Sequence, residues 1–194
     1  MDIRIFPPKL RVLSSVPRFS IIPTIKTNDV ASHSFYVAAY ARQIVVLIGW
    51  GGPMSLLLWY ALTHDIEESI TGDIVGDVKR NVVDKDKLLS YVDRKMSERM
   101  PEYHAVLHED DEYSSEIVAI VKAADLLDAL FFIQTEVMMG NRLMKTRMSN
   151  AVSELYSAWM KLPHGGGLAK LAKLWLDVVS PAILEHDKPE TYGL

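Results

Sequence analysis

A histidine and an aspartate stand side by side, His64-Asp65, in the stretch Trp59-Tyr-Ala-Leu-Thr-His64-Asp65-Ile-Glu-Glu68-Ser-Ile-Thr-Gly-Asp73. One imidazole nitrogen beside one carboxylate oxygen suits Zn²⁺, Mn²⁺, Co²⁺ or Fe rather than Ca²⁺. Alone, such a pair also fits the polar end of an ordinary helix. Here two more residues of ligand type flank it: His33 in Val30-Ala-Ser-His33-Ser, and Asp125 in Val121-Lys-Ala-Ala-Asp125. Each lies in a segment with helical apolar spacing, so helices have to bring the set together.

The helices can be read from period and punctuation. Asn28 or Asp29 can cap a helix running to about Ile48, because Val30, Val37, Ala41, Ile44, Val45 and Ile48 recur at three- and four-residue steps. His33 falls on that inward face, one turn after Val30. A second helix is expected from Pro53 to about Ser69, presenting His64 and Asp65 near its C-terminal end. Gly72 to Arg80 reads as a loop. Asp84–Met100 reads as a polar helix with Leu88, Leu89, Val92 and Met96 as its buried stripe. Ser114 or Ser115 is expected to cap a long helix to about Met139, and 141–161 and 168–185 supply two more. Residues 1–27, rich in Pro and β-branched residues, read as an irregular arm. No strand pattern or repeat appears, so the expected fold is an all-α helical bundle in a single domain, 1–194.

Composition excludes several classes. At 194 residues the chain can bury a substantial core, and 49% hydrophobic with 24% charged residues is globular rather than disordered. A net charge of −4 argues against sequence-independent nucleic-acid binding. The chain has no cysteine, consistent with a reducing compartment. Ile44 to Leu62 is uncharged and approaches spanning length, but Gly49-Trp-Gly-Gly-Pro53 interrupts it, which favours a helical hairpin. No apolar leader opens the sequence. A cytoplasmic protein without membrane or nucleic-acid partners is expected.

The order His33, His64-Asp65, Asp125 resembles the signature of the HD-domain phosphohydrolases. Within them, His64-Asp65-x-x-Glu68-x-x-Thr71-Gly72-Asp73 with Lys79, and Arg11-Val…Arg18-Phe19 ahead of Asn28-x-Val-Ala-x-His33-Ser34, are similar to the 5'-deoxynucleotidases. The chain also resembles a smaller group of phage enzymes that hydrolyse dATP for diaminopurine genomes. The resemblance implies a divalent transition metal (Zn, Co or Mn) held by His33, His64, Asp65 and Asp125, with a second divalent ion (Mg) able to accompany a triphosphate. It implies that Glu68 orients or deprotonates the attacking water and that Asp73 completes the acid/base set. It places Arg18 and Lys79 at the phosphate, and Phe19 and Ile21 against the nucleoside. It further implies a homo-oligomer, dimer or hexamer, and a host-cell cytoplasm if the gene is a phage's.

These roles fit the chemistry of an ester of phosphoric acid. A bound cation lowers the pKa of its water and polarises phosphorus; a guanidinium grips two oxygens, an ammonium one point. Where the deoxynucleotidases usually carry Trp after the arginine, this chain has Phe19. Phe19 and Ile21 fit simple packing of the arm equally well, and Lys122, one turn before Asp125, either orients that carboxylate or is solvated. The expected activity is dATP to deoxyadenosine plus phosphates; the alternatives are a 5'-deoxynucleotidase acting on monophosphates and a non-catalytic nucleotide-binding HD protein. His104-x-x-x-His108 and His164-Gly-Gly-Gly read as connectors, and the methionines around Met138 to Met148 as adaptable packing.

Overall fold

The computed structural model describes residues 8–74, 78, 81, 84–99 and 113–163. The expectations for 101–109, for Lys79 and for the 168–185 helix lie outside them.

Helix α1, Val30–Ile48, begins where Asp29 accepts the Ser32 N–H at 2.9 Å and the Ser32 hydroxyl at 2.8 Å. All six residues of the expected inward stripe are buried. Gly49 closes the helix in the left-handed region at φ 72°, where a side chain would be strained. A Cβ at Gly52 would overlap the Trp50 ring, so glycine lets the chain turn tightly into α2, Met54–Thr63. Pro53 occupies the capping position, one residue before that helix.

The second helix is shorter than its apolar pattern implies. His64 Nδ1 bonds the Ala61 carbonyl at 2.8 Å, the acceptor that an α-helical Asp65 amide would use. The chain beyond is wound more tightly, with Ile66 N–H to Thr63 O at 3.0 Å and Glu68 N–H to Asp65 O at 3.0 Å. A one-turn helix, α3, Glu68–Thr71, follows and ends at Gly72.

Helix α4, Lys85–Arg99, buries only Met96; Leu88 and Val92 are half-buried and Leu89, expected in the stripe, is exposed. Val92 and Met96, one helical turn apart, pack with Ile66 and Ile70, and Leu89 falls outside that group. Helix α5, Ser114–Met138, starts one residue after Tyr113, which makes no side-chain cap. Ser114 and Ser115 lie inside the helix instead of capping it. Asn141 caps α6, Arg142–Trp159, by accepting the Leu143 N–H at 3.2 Å.

Helices α1, α2, α5 and α6 share one core that includes Ile44, Leu57, Ile120, Leu130, Met144 and Leu155. Each such side chain contributes about 1.5–3 kcal/mol on burial. Among the described residues the architecture is all-α, with one isolated bridge, Pro17 to Asp29, and no named strand. The arm is more ordered than its composition implies. Residues Pro8–Ser15 wind as a 3-10 helix, so that Leu13 and Val16 can bury against Val30. Among the described residues no helix is long and apolar enough to cross a membrane.

Candidate active site

Three helical elements converge on one point. The donor atoms of His33 (α1), His64 (just past α2) and Asp125 (α5) lie within 4.8 Å of one another. Asp65 adjoins the same two imidazoles: its Oδ2 is 3.5 Å from His33 Nε2 and 3.2 Å from His64 Nε2. Asp125 Oδ1 stands 3.3 Å from His33 Nε2. His33 is fully buried and His64 and both carboxylates are largely so.

The far nitrogens fix which side of each ring faces this point. His33 Nδ1 is 2.6 Å from Asp128 Oδ2, and His64 Nδ1 donates to the Ala61 carbonyl. With both Nδ1 atoms engaged as donors, each Nε2 presents its lone pair to the cluster. Both Nε2 atoms are buried and without a hydrogen-bond partner, with carboxylate oxygens 3.3 Å from that of His33 and 3.2 Å from that of His64. Two lone-pair nitrogens among two carboxylates form a donor set that fits a divalent transition metal. A carboxylate behind a ligating imidazole also matches the usual outer shell of such sites. Asp128 was not singled out from the sequence; an aspartate among Leu126, Leu127 and Leu130 was the available signal.

The acids and imidazoles of the cluster shift one another's titration. Burial alone would push the Asp65 carboxyl up, but the adjoining His64 imidazole outweighs it, and the group sits below its ordinary value despite Asp125. Asp125 is held far below the usual carboxylate range, because His33, Lys122 and Arg18 overcome the cost of burial. Burial lowers His64, yet Asp65 and Asp125 together raise it above its ordinary value. Lys122 contacts Asp125 Oδ2 at 2.6 Å, so it does pair with that carboxylate.

Arg18 comes to the same place from the arm. Its guanidinium nitrogens lie 3.6 Å from Asp125 Oδ1 and 3.6 Å from Asp128 Oδ2. Nη1 is buried and lacks a hydrogen-bond partner. Phe19, at the unusual φ of 57°, stacks on Phe132 of α5 with ring centroids 5.0 Å apart. Ile21 is 61% exposed, while Ile22 packs on the core. Glu68 is buried at the first position of α3, three residues past Asp65, and lines a cavity of about 140 Å³ with Thr71, Gly72 and Leu89. Asp73 follows Gly72 and is half-buried. The sequence-derived ligands and Arg18 are thus brought together, and Phe19 stands beside Arg18.

Known proteins carry the same plan. A family model described as 5'-deoxynucleotidase YfbR-like matches residues 6–163. The 5'-deoxynucleotidase YfbR of Salmonella typhi is 29% identical over 152 residues, covering 71% of this chain and 76% of that protein. Among solved structures, the cyanophage S-2L HD phosphohydrolase DatZ, bound to dA and one catalytic Zn²⁺ ion, superposes with a TM-score of 0.71 at 16% identity, covering 92% of this chain and 99% of that one. An HD-domain phosphohydrolase from Listeria innocua gives 0.69 at 23% identity, covering 91% and 87%. The two structural likenesses speak for the fold, and the match over 6–163 for the family: this chain belongs to the YfbR-like 5'-deoxynucleotidases, built on the HD-domain phosphohydrolase fold.

Proposed function

We propose that the protein is a metal-dependent phosphohydrolase of deoxynucleotides, acting as a 5'-deoxynucleotidase on deoxynucleoside monophosphates. The observation that carries this reading is the conjunction of two unpartnered Nε2 atoms with the buried Arg18 guanidinium around one carboxylate, Asp125. A cation held by His33, His64, Asp65 and Asp125 would supply Lewis acidity at phosphorus and a low-pKa water. Arg18, anchored beside those ligands, is placed to grip the phosphate oxygens with two N–H groups. Glu68, close in sequence to the ligands but outside their set, is assigned the proton of the attacking water, and Asp73 the acid/base partner. Lys79 is assigned to the phosphate on sequence grounds. The sequence relatives are named 5'-deoxynucleotidases, which favours the monophosphate reading.

Hydrolysis of dATP to deoxyadenosine is the second reading. Ile21, exposed three residues after Arg18, is free to meet the edge of a purine that Arg18 would bring to the arm. Bulk there would exclude a 2-amino group by overlap, favouring adenine. The exposed Lys26 and Arg11 of the arm would be available to outer phosphates.

The test is phosphate release from the four dNMPs, their ribonucleotide counterparts, dATP, dGTP and the diaminopurine deoxynucleoside triphosphate, with Co²⁺, Mn²⁺ or Zn²⁺ present. Turnover of monophosphates with triphosphates untouched is the expected result. Preference for dATP, with Ile21→Ala gaining 2-amino purines, would install the second reading. No release from any of them, with metal bound, would leave a non-catalytic nucleotide-binding protein.

A further inference from the structure

One face of α5 carries Asp125, Asp128, Phe132 and Glu136 at steps of three and four residues. The first two face the metal cluster and Phe132 carries the Phe19 ring. Glu136 has no exposed surface at all, at the end of the stripe away from the cluster. A buried carboxylate there needs a full set of donors. It has them: Oε2 accepts the Ile25 N–H and Oε1 the Lys26 N–H, each at 2.8 Å, and the Asn141 amide donates to Oε2 at 2.7 Å. The same Asn141 nitrogen donates to the Pro23 carbonyl at 2.9 Å. Asn141 also caps α6, so the corner between α5 and α6 grips the arm over residues 23–26.

The gripped segment is the tip of a closed loop. Its base is pinned where Arg18 N–H bonds Asn28 O at 2.9 Å and Val30 N–H bonds Val16 O at 3.1 Å. Arg18 and Phe19 sit at that base, and the Ile22 N–H bonds the Phe19 carbonyl at 2.9 Å. Besides Arg18, the Phe19–Phe132 stack and Glu136 therefore tie the loop to α5.

We infer that Glu136, completed by Asn141, is a positioning residue: it sets the arm in register along α5 and so aims Arg18 at the phosphate beside Asp125. This rests on the hydrolase reading above. Glu136 touches neither metal ligands nor substrate; it acts through the backbone of Ile25 and Lys26. Because the arm and Asp125 hang on one rigid helix, the distance from phosphate grip to metal is fixed by that helix.

The test uses the full chain with metal bound. Glu136→Gln keeps the size but replaces one acceptor oxygen with a donor that opposes an N–H. Three outcomes are expected. Hydrogen exchange quickens across 17–29 while the amides of α1 and of α5 before residue 130 keep their protection. The metal content and metal affinity stay at the wild-type level. The kcat/KM for the deoxynucleotide falls about tenfold, mainly through KM, because ground-state grip is what is lost. On an Arg18→Ala background the same change costs nothing further, since the two residues serve one contact. Should Glu136→Gln not fold, Asn141→Ser keeps a capping oxygen on α6 while removing the amide that joins Pro23 to Glu136, and the same pattern is expected at smaller size. Additive losses with Arg18→Ala, or metal affinity falling in step with KM, would overturn the inference. If the wild type turns over no deoxynucleotide, the hydrolase reading fails by itself; unchanged exchange across 17–29 then sinks the positioning role separately.

Discussion

Asp128 Oδ2 lies 2.6 Å from Nδ1 of the fully buried His33, on the side of the ring away from the ligand cluster. The contact holds one tautomer and one ring orientation, leaving Nε2 for a cation. Asp128→Asn, which retains shape but weakens acceptance and admits the flipped amide, is expected to lower Co²⁺ or Zn²⁺ affinity roughly 10–100-fold. Titration calorimetry on the purified variant checks this; wild-type affinity would show that Asp128 is only a packing partner of the ring.

The cation itself is expected to be essential. Phosphate release should vanish with a chelator and return with Co²⁺, Mn²⁺ or Zn²⁺. His64→Ala and Asp65→Ala should each lose both bound metal and turnover, read by metal analysis alongside the phosphate assay. Undiminished activity in either variant contradicts the ligand set.

Glu68 separates chemistry from metal binding. Glu68→Ala is expected to keep its metal and lose turnover by about 10²-fold or more, the scale of a general base. A metal content that falls together with activity would make Glu68 a ligand instead.

The sequence marked His33, His64, Asp65 and Asp125 because they stand in the order of the HD-domain signature, four side chains that the structure gathers at one point. It exposed the helices with long apolar stripes, α1 and α5, almost to the residue. It concealed the break after Thr63, where the His64 side chain takes a backbone acceptor, because a hydrophobic period does not register such competition. It concealed Asp128 and Glu136 for another reason. Their partners are an imidazole and two backbone amides lying 95 and about 110 residues away, and no local pattern encodes that meeting. The exposure of Ile21 was equally hidden, since Ile21 and Ile22 differ only in which one the turn after Phe19 directs to the core.

Stability in acid is expected to depend on Glu136. Burial would raise its carboxyl, but the Asn141 amide, the Ile25 and Lys26 N–H groups and the Lys26 charge hold it below the ordinary value of 4.5. Below about that pH the unfolded chain takes up the proton first, so the stabilisation is complete above 4.5 and is lost as pH falls through the folded value. Urea midpoints measured from pH 7 to pH 3 should fall less steeply below 4.5 for Glu136→Gln than for wild type. Parallel curves would mean that the carboxylate titrates alike folded and unfolded.

The grip of Glu136 on Ile25 joins positions 111 residues apart, and that of His33 on Asp128 joins positions 95 apart. Contacts of such high order close only after the intervening chain has collapsed, because loop closure must precede any reward from them. A chain made only as far as α4 possesses both imidazoles and the whole arm, yet neither of the acids that order them. A cation held by His33, His64, Asp65 and Asp125 would therefore find its full ligand set only once α5 has docked, since Asp125 and Asp128 arrive with that helix.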